Sequence, residues 1–243
     1  MIDVEAYLTN AVRLFWQIRQ AQSERQGGAS GVKDAGNRGA VTGGKHADGF
    51  VQLLAAVVKD AGLLDAHVHV SIKRHRTLPG YFRPTKEWDV VVTAENDLVA
   101  AIEVKSQVGS FGNNFNNRVE EALGNAMDFS TAYRKGSFSP SGRPWLGYFF
   151  MLEEHARSMR STKRITLQPF PVDEAFQGLS YAQRYELMCQ RLVREGLYDA
   201  VCFFTSRSTA ATDGCFTQPS RELGIRPFAV SLHARAAAFA SIR

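Results

Sequence analysis

Glu87-Trp88-Asp89-Val90-Val91-Val92, a polar break at Glu95-Asn96-Asp97, then Ala101-Ile102-Glu103-Val104-Lys105: this stretch decides the fold. Two apolar, β-branched runs separated by a short polar break read as a hairpin. Burying charge in such strands costs several kcal/mol unless the charge is paired or holds a metal. Asp89, Glu103 and Lys105 nevertheless lie inside them. Side chains alternate along a strand, so Glu103 and Lys105 share one face and Ile102 and Val104 the other. With a three-residue loop, Glu95 to Asp97, cross-strand partners have numbers summing to 192. That sets Asp89 opposite Glu103, with side chains roughly 5 Å apart. A two-residue loop shifts the register by one and sends Asp89 to the wrong face, so the arrangement needs the longer loop or a bulge.

Two neighbouring carboxylates repel, and a hard divalent cation such as Mg²⁺ between them turns repulsion into chelation. Lys105, two residues along, can then position or deprotonate a water, or stabilise charge building on a phosphate. A buried ion pair within the sheet is the plain alternative.

The chain has 243 residues, 44% of them hydrophobic, enough for one α/β domain with helices on both faces of a sheet. No repeat or boundary divides 1–243. The pattern sets apart an N-terminal helix and Gly-rich loop (1–47), the hairpin (86–106), and C-terminal strands and helices (145–243). No apolar run approaches the roughly 18 residues of a membrane span, and the N-terminus lacks a signal-peptide pattern. A cytoplasmic protein without a membrane partner is expected. Cys189, Cys202 and Cys215 form no CxxC and point to reduced thiols. A net charge of +5 and a pI near 9.2 mildly favour an anionic partner.

Residues 3 to about 22 read as a helix, with Leu8, Ala11, Val12, Phe15 and Ile18 at helical spacing. Residues 27 to 44 carry seven glycines and read as a loop. Gly39 to Lys45 fits GxxxxGK, but His46 stands where a P-loop needs Ser or Thr, and no buried strand precedes it, so a nucleotide-binding loop is set aside. Arg38 and Lys45 can instead face a phosphate backbone. Asp48 reads as the N-cap of a helix that buries Phe50, Leu53, Leu54, Val57 and Val58, or as a third carboxylate for the metal site. His67 to Ile72 alternates as a strand. His67 and His69 share a face but have no third ligand at suitable spacing. The Asn-rich stretch from Ser106 to Arg118 reads as a loop before a helix at about 116 to 134, with Val119, Leu123, Ala126, Met127 and Phe129 on its apolar face. Trp145 to Leu152 and Tyr198 to Thr205 read as buried strands and Tyr181 to Arg194 as a helix. Phe228 to Leu232 reads as a strand before a C-terminal helix from 233 to 242.

The order helix, three strands, helix, strand, with Asp89 and Glu103-Val104-Lys105 on the middle hairpin, resembles the PD-(D/E)xK nuclease fold, although Trp88 stands where that pattern has Pro. Gly39-Ala-Val-Thr-Gly-Gly-Lys45 with Asp48-Gly-Phe50, and Ile102 to Val108 running into Ser110 to Arg118, resemble the XhoI/PaeR7I family of type II restriction endonucleases. That resemblance implies a central mixed β-sheet flanked by helices. It also implies a homodimer that, with Mg²⁺, cuts both strands of double-stranded DNA at the palindrome CTCGAG after the first C, leaving 5′ TCGA overhangs. A companion DNA methyltransferase is implied as well. Carried over, Asp89, Glu103 and the Val104 backbone carbonyl would hold the metal, with Asp48 a possible addition, and Lys105 would be the base or water-positioning group. A nuclease of the same fold with another target, or a DNA-binding module with a dead catalytic core, are the alternatives.

Guanine is read by Arg or Lys, adenine by Asn or Gln, and phosphates by any of these. The candidates for such contacts are Arg38, Lys45, Gln107, Asn113, Asn114, Asn117, Arg157, Arg160, Lys163, Arg164 and Arg207.

Overall fold

Two mixed layers of helices enclose one sheet, and the alternation of side chains along its strands divides the core in two. The computed structural model describes residues 1–30, 45–64 and 67–242, with backbone alone at 25–30 and at Lys45. Arg38 and nearly all of the GxxxxGK match lie outside the described residues, as does the side chain of Lys45.

Helix α1 spans Val4–Ser30, well past the expected end near 22. Its apolar stripe stops at Ile18, but the Gln, Ala, Glu and Arg that follow are good helix formers, and from Arg19 to Glu24 no side chain is buried. A short 3₁₀ turn, Lys45–Ala47, leads into α2, Asp48–Asp60. The N-cap is Ala47 rather than Asp48, which occupies the first helical position, where its charge faces the positive end of the helix dipole. The buried face of α2 contains Phe50, Leu53, Leu54, Val57 and Val58, each contributing roughly 1.5–3 kcal/mol by burial.

The strand expected from His67 to Ile72 shrinks to β1, Val68–His69. The basic run Lys73–Arg76 then forms a single helical turn, α3. His69 Nε2 lies 2.9 Å from Thr93 Oγ1 and its ring packs on His75. Among the described residues no three His, Cys, Asp or Glu form a metal cluster. Next comes a small antiparallel pair absent from the sequence reading, β2 (Thr77–Pro79) with β3 (Thr85–Glu87). The run Glu87 to Val92 is therefore not one strand. It breaks at Trp88–Asp89, and β4 is Val90–Ala94.

The main sheet is completed by β5 (Asp97–Gln107), β6 (Trp145–Glu153) and β7 (Ala200–Ser206), in the order β1-β4-β5-β6-β7. The junctions on the β1 side are antiparallel and those from β5 to β7 are parallel. The result is the α/β, restriction-endonuclease-like core with a mixed sheet. Strands β6 and β7 are buried on both faces, which is why they read as unbroken apolar runs. Phe149 and Phe204 point into the core beneath α1 and α2, and Phe150 and Phe203 into the other. Gly147 interrupts β6 because a Cβ there would lie 2.4 Å from the Trp145 ring.

Helix α4, Phe111–Arg134, covers the second core and begins earlier than expected. Asn113, Asn114 and Asn117 thus lie on its first turns rather than in a loop. Its face is also rotated from the expected one: Leu123 and Met127 are exposed, while Ala122, Ala126 and Phe129 are buried with Asn125 and Asp128. The buried polar pair binds Arg83 and the turn after β2, a distant partner that periodicity cannot register. After the one-turn helix α5 (Ala156–Met159) comes α6, Tyr181–Arg194, with the bounds expected. Phe228 to Leu232 is not a strand. It lies within α7, Ile225–Ala240, where Phe228, Ala229, Leu232 and Ala236 recur at helical spacing and are buried. The three thiols are free.

Candidate active site

The site is built by a bulge. Strands β4 and β5 pair Ala94 with Asp97, so the hairpin loop holds two residues, Glu95 and Asn96, not three. Glu95 takes a φ of 54° to close it. On this register alone Asp89 would face the wrong side. Val99 is the extra residue: pairing passes from Thr93–Leu98 to Val92–Ala100, and partners sum to 192 from there on, through Val90–Ile102. Its carbonyl, taken out of the ladder, accepts from Arg235 Nε at 3.2 Å. The bulge restores the register that sets Asp89 opposite Glu103.

Just before β4 the Asp89 N–H donates to the Ile102 carbonyl at 3.2 Å. Its Oδ2 accepts the Val104 N–H at 2.7 Å. Backbone groups of alternate residues point to the same edge of a strand, so the Val104 carbonyl also faces the Asp89 side of β5. Glu103 is 3% exposed and holds two ammonium groups. Lys105 contacts one carboxylate oxygen. Lys86, on β3, contacts the other at 2.7 Å. Lys86 also donates to the Glu87 carbonyl at 2.9 Å and lies 4.5 Å from the centre of the Trp88 ring.

The charges pull in opposite directions. Burial and the neighbouring Glu103 push the Asp89 carboxyl up to about 6, against the Val104 N–H and the two lysines. Burial would raise Glu103 too, but Lys105 and Lys86 outweigh it and hold its pKa below the ordinary value. Burial works against the charge on Lys105, but Glu103 and then Asp89 outweigh it and raise its pKa. Lys105 is therefore an ammonium here, suited to orienting water and countering negative charge more than to removing a proton. Acids with pKa values driven apart beside cations form an arrangement found at functional sites.

The donor set fits a hard divalent ion: two adjacent carboxylates, a carbonyl directed to the same edge, and no sulfur. Gln107 follows on the face of Glu103 and Lys105. Its Nε2 donates to the Gly109 carbonyl at 2.6 Å, while its buried Oε1 has no partner among the described residues. Asp48 is not brought to the pair. It opens α2, whose buried side chains pack in the core on the other face of the sheet, and among the described residues no third acid joins Asp89 and Glu103 in a metal cluster.

Several neighbours escaped the sequence reading. Lys86 did so because the break at Trp88 hides that β3 folds back over the hairpin. Tyr148 pairs across from Glu103 on β6 and is buried, its hydroxyl without a partner among the described residues. Arg118 and Glu121 of α4 pair with each other, and Glu121 adds to the field at Lys105.

The surface candidates separate into two groups. Asn113, Arg157, Arg160 and Lys163 line one groove of about 740 Å³ with Tyr181 at the start of α4. Gly109 and Ser110 turn through positive φ there, and no side chain caps the helix. Its first N–H groups and three basic side chains thus border one space suited to phosphate. Asn114 and Asn117 lie on the first turns of α4 but do not line the groove. Arg164 instead pairs with Glu174 at 2.6 Å, and Arg207 Nε with Glu154 at 2.7 Å.

A family model described as restriction endonuclease XhoI matches residues 25–218. The type II restriction enzyme BstVI of Geobacillus stearothermophilus is 46% identical over 210 residues, 84% of this chain and 92% of that protein. The type II restriction enzyme XhoI of Xanthomonas vasicola is 43% identical over 186 residues, 76% of this chain and 73% of its own. The type II restriction enzyme AbrI of Azospirillum brasilense is 45% identical over 159 residues, covering 65% of this chain and 70% of the relative. No solved structure matches the chain.

Proposed function

The chain belongs to the XhoI restriction endonuclease family and is a type II site-specific deoxyribonuclease; on that premise we propose that it cuts both strands of CTCGAG after the first C, with Mg²⁺ held by Asp89 and Glu103. The observation that carries the reading is the bulge-corrected register up to Val90–Ile102, beyond which Asp89 bonds the Val104 N–H beside Glu103 and Lys105 bonds Glu103. Asp89, Glu103 and the Val104 carbonyl would hold the ion. Bound there, Mg²⁺ would supply Lewis-acid activation of water and neutralise charge at phosphorus. Lys105, kept protonated by Glu103, would orient the attacking water and face the charge that develops on the phosphate. Burial of Glu103 removes competing solvent and strengthens each of these interactions.

DNA would run along the basic groove, with Arg157, Arg160 and Lys163 on phosphates and the amides of α4 within reach of bases. A palindrome is matched by two copies of the chain related by a two-fold axis, one active site per strand. Exposed Leu123, bordering a groove with Phe115, Val119 and Met188, supports such pairing. A companion methyltransferase would protect the same site in a prokaryotic cytoplasm; no helix among the described residues is long and apolar enough to cross a membrane.

The test is digestion of plasmid DNA with and without Mg²⁺, followed by sequencing of the fragment ends. Discrete fragments ending in 5′ TCGA support the proposal. Discrete fragments with other ends keep the enzyme and replace its target. A shifted but intact band under both conditions means a DNA-binding module with a dead core.

A further inference from the structure

Glu103 faces a conflict that the catalytic reading leaves open. Both its carboxylate oxygens are engaged by ammonium groups, and the side chain has almost no access to water. A divalent ion shared with Asp89 would bring two further positive charges to an oxygen of Glu103 that already faces an ammonium, and repulsion between the cations favours withdrawal of a lysine. The two lysines are not equivalent. Lys105 rises from the same strand two residues on, on the same face as Glu103. Lys86 comes from outside the main sheet, on β3 of the small hairpin. It already has two other partners, the Glu87 carbonyl at 2.9 Å and the face of Trp88 at 4.5 Å. A cation over an indole keeps much of its stabilisation when it gives up an anion.

We infer that Lys86 is a positioning residue that stands in for the divalent cation. In the metal-free protein it holds one carboxylate oxygen of Glu103 and keeps it oriented beside Asp89, and it is left to Trp88 and the Glu87 carbonyl when the ion binds. Without it, two buried carboxylates would share one ammonium, and the site would lose its shape before metal arrived. This inference rests on the metal-site reading above.

A stand-in has an opposed signature. Its removal destabilises the metal-free protein yet strengthens metal binding, because a competing positive charge is gone. A merely structural lysine would lower stability and leave affinity unchanged or weaker. The experiment uses the full chain without DNA, stripped by chelator, with Mn²⁺ binding followed by water-proton relaxation and melting temperature recorded alongside. Lys86→Met should melt lower than wild type without metal and bind Mn²⁺ about fivefold or more tightly, the direction that removing a unit charge near a divalent ion requires. Lys86→Arg, which keeps the charge, should restore the wild-type affinity. If Lys86→Met does not fold, Lys86→Gln retains a hydrogen-bond donor without the charge and carries the same expectation. Equal or weaker Mn²⁺ binding by the folded neutral variant overturns the inference while leaving the metal site intact. Wild-type binding that survives in Asp89→Asn overturns the metal-site reading, and the inference falls with it.

Discussion

Asp128 and the Asp89–Glu103 pair are both buried acids, satisfied in different ways. Asp128 Oδ1 accepts the N–H groups of Tyr81 and Phe82, each at 2.8 Å, and its Oδ2 accepts Arg83 Nε at 2.8 Å. One charge faces one guanidinium. Burial would raise its pKa, but the two N–H groups and Arg83 outweigh it and lower it. Gly80 leaves room for this: a Cβ there would sit 2.7 Å from Asp128 Oδ2. The other cluster brings two acids together, keeps one pKa high and the other low, and fills the oxygens of Glu103 with two cations. Burial is common to both. What separates them is an acid–acid repulsion that a single strong pairing would have avoided. Asp128 fastens the turn after β2 to α4, and the Asp89–Glu103 pair keeps a repulsion that a doubly charged ion would relieve.

Breaking each cluster should expose that division of labour. Glu103→Ala and Lys105→Ala should lower plasmid cleavage by about a thousandfold or more, the upper range for losing a positioned catalytic group, while circular dichroism and much of the DNA affinity stay unchanged. Near-normal cutting by either variant would remove that residue from the chemistry. Asp128→Ala should do the reverse. It leaves two N–H groups of an exposed turn and the part-exposed Arg83 without their acceptor, a loss of about 1–3 kcal/mol in chemical denaturation, while the folded fraction still cuts. A stability loss below about 1 kcal/mol would show that the turn is held by other contacts.

Acidity sharpens the comparison with a smaller effect of opposite sign in the two clusters. Asp89 is raised from an ordinary 3.8 to about 6 in the folded chain. The folded state then binds its proton more tightly than the unfolded state does. The metal-free protein should lose stability through this group as pH rises from about 4 to 6, by at most about 3 kcal/mol. Asp128 is lowered, so its contribution is present above pH 3.8 and disappears as pH falls through its folded value. Urea titrations in chelator from below pH 3.8 to above pH 6 should show the Asp89 component vanish in Asp89→Asn and the Asp128 component remain. An unchanged profile in Asp89→Asn would mean that neither burial nor Glu103 raises the Asp89 carboxyl in the folded chain.

The satisfied cluster was invisible in the sequence, and the frustrated one was legible. Asp89 and Glu103-Val104-Lys105 stand out because charge interrupts a period-two apolar pattern, and counting across the turn brings them together. The count reaches that register by a three-residue loop or by a bulge, and the chain uses the bulge. Leu98-Val99-Ala100-Ala101 is apolar throughout, so nothing marks Val99 as a bulge. Lys86 was missed because the break at Trp88 moves the chain from one sheet to another. Asp128 and Asn125 were missed for a related reason: helical periodicity put Leu123 and Met127 inside, and only the turn at 80–84, over 40 residues away, explains why polar side chains took the buried face. Tertiary partners are where local pattern stops being informative.

The same distinction between satisfied and unsatisfied charge sorts the surface cations, and here the expected effect is smallest. Arg157, Arg160 and Lys163 are exposed around the groove at the start of α4 and make no ion pair among the described residues. Arg164 and Arg207 are each held by a glutamate. A cation that neutralises a phosphate releases condensed counterions on binding, and each such contact adds roughly 0.9 to the slope of log affinity against log salt. Replacing Arg157, Arg160 or Lys163 by Ala should therefore flatten that slope by about one unit each, measured by fluorescence anisotropy on a duplex in Ca²⁺ to hold cleavage back. Arg164→Ala and Arg207→Ala should change it less, because each glutamate already offsets the charge that would meet DNA. Equal slopes across all five variants would mean that the ion pairs open on binding, and that pairing in the free protein does not mark which cations reach the backbone.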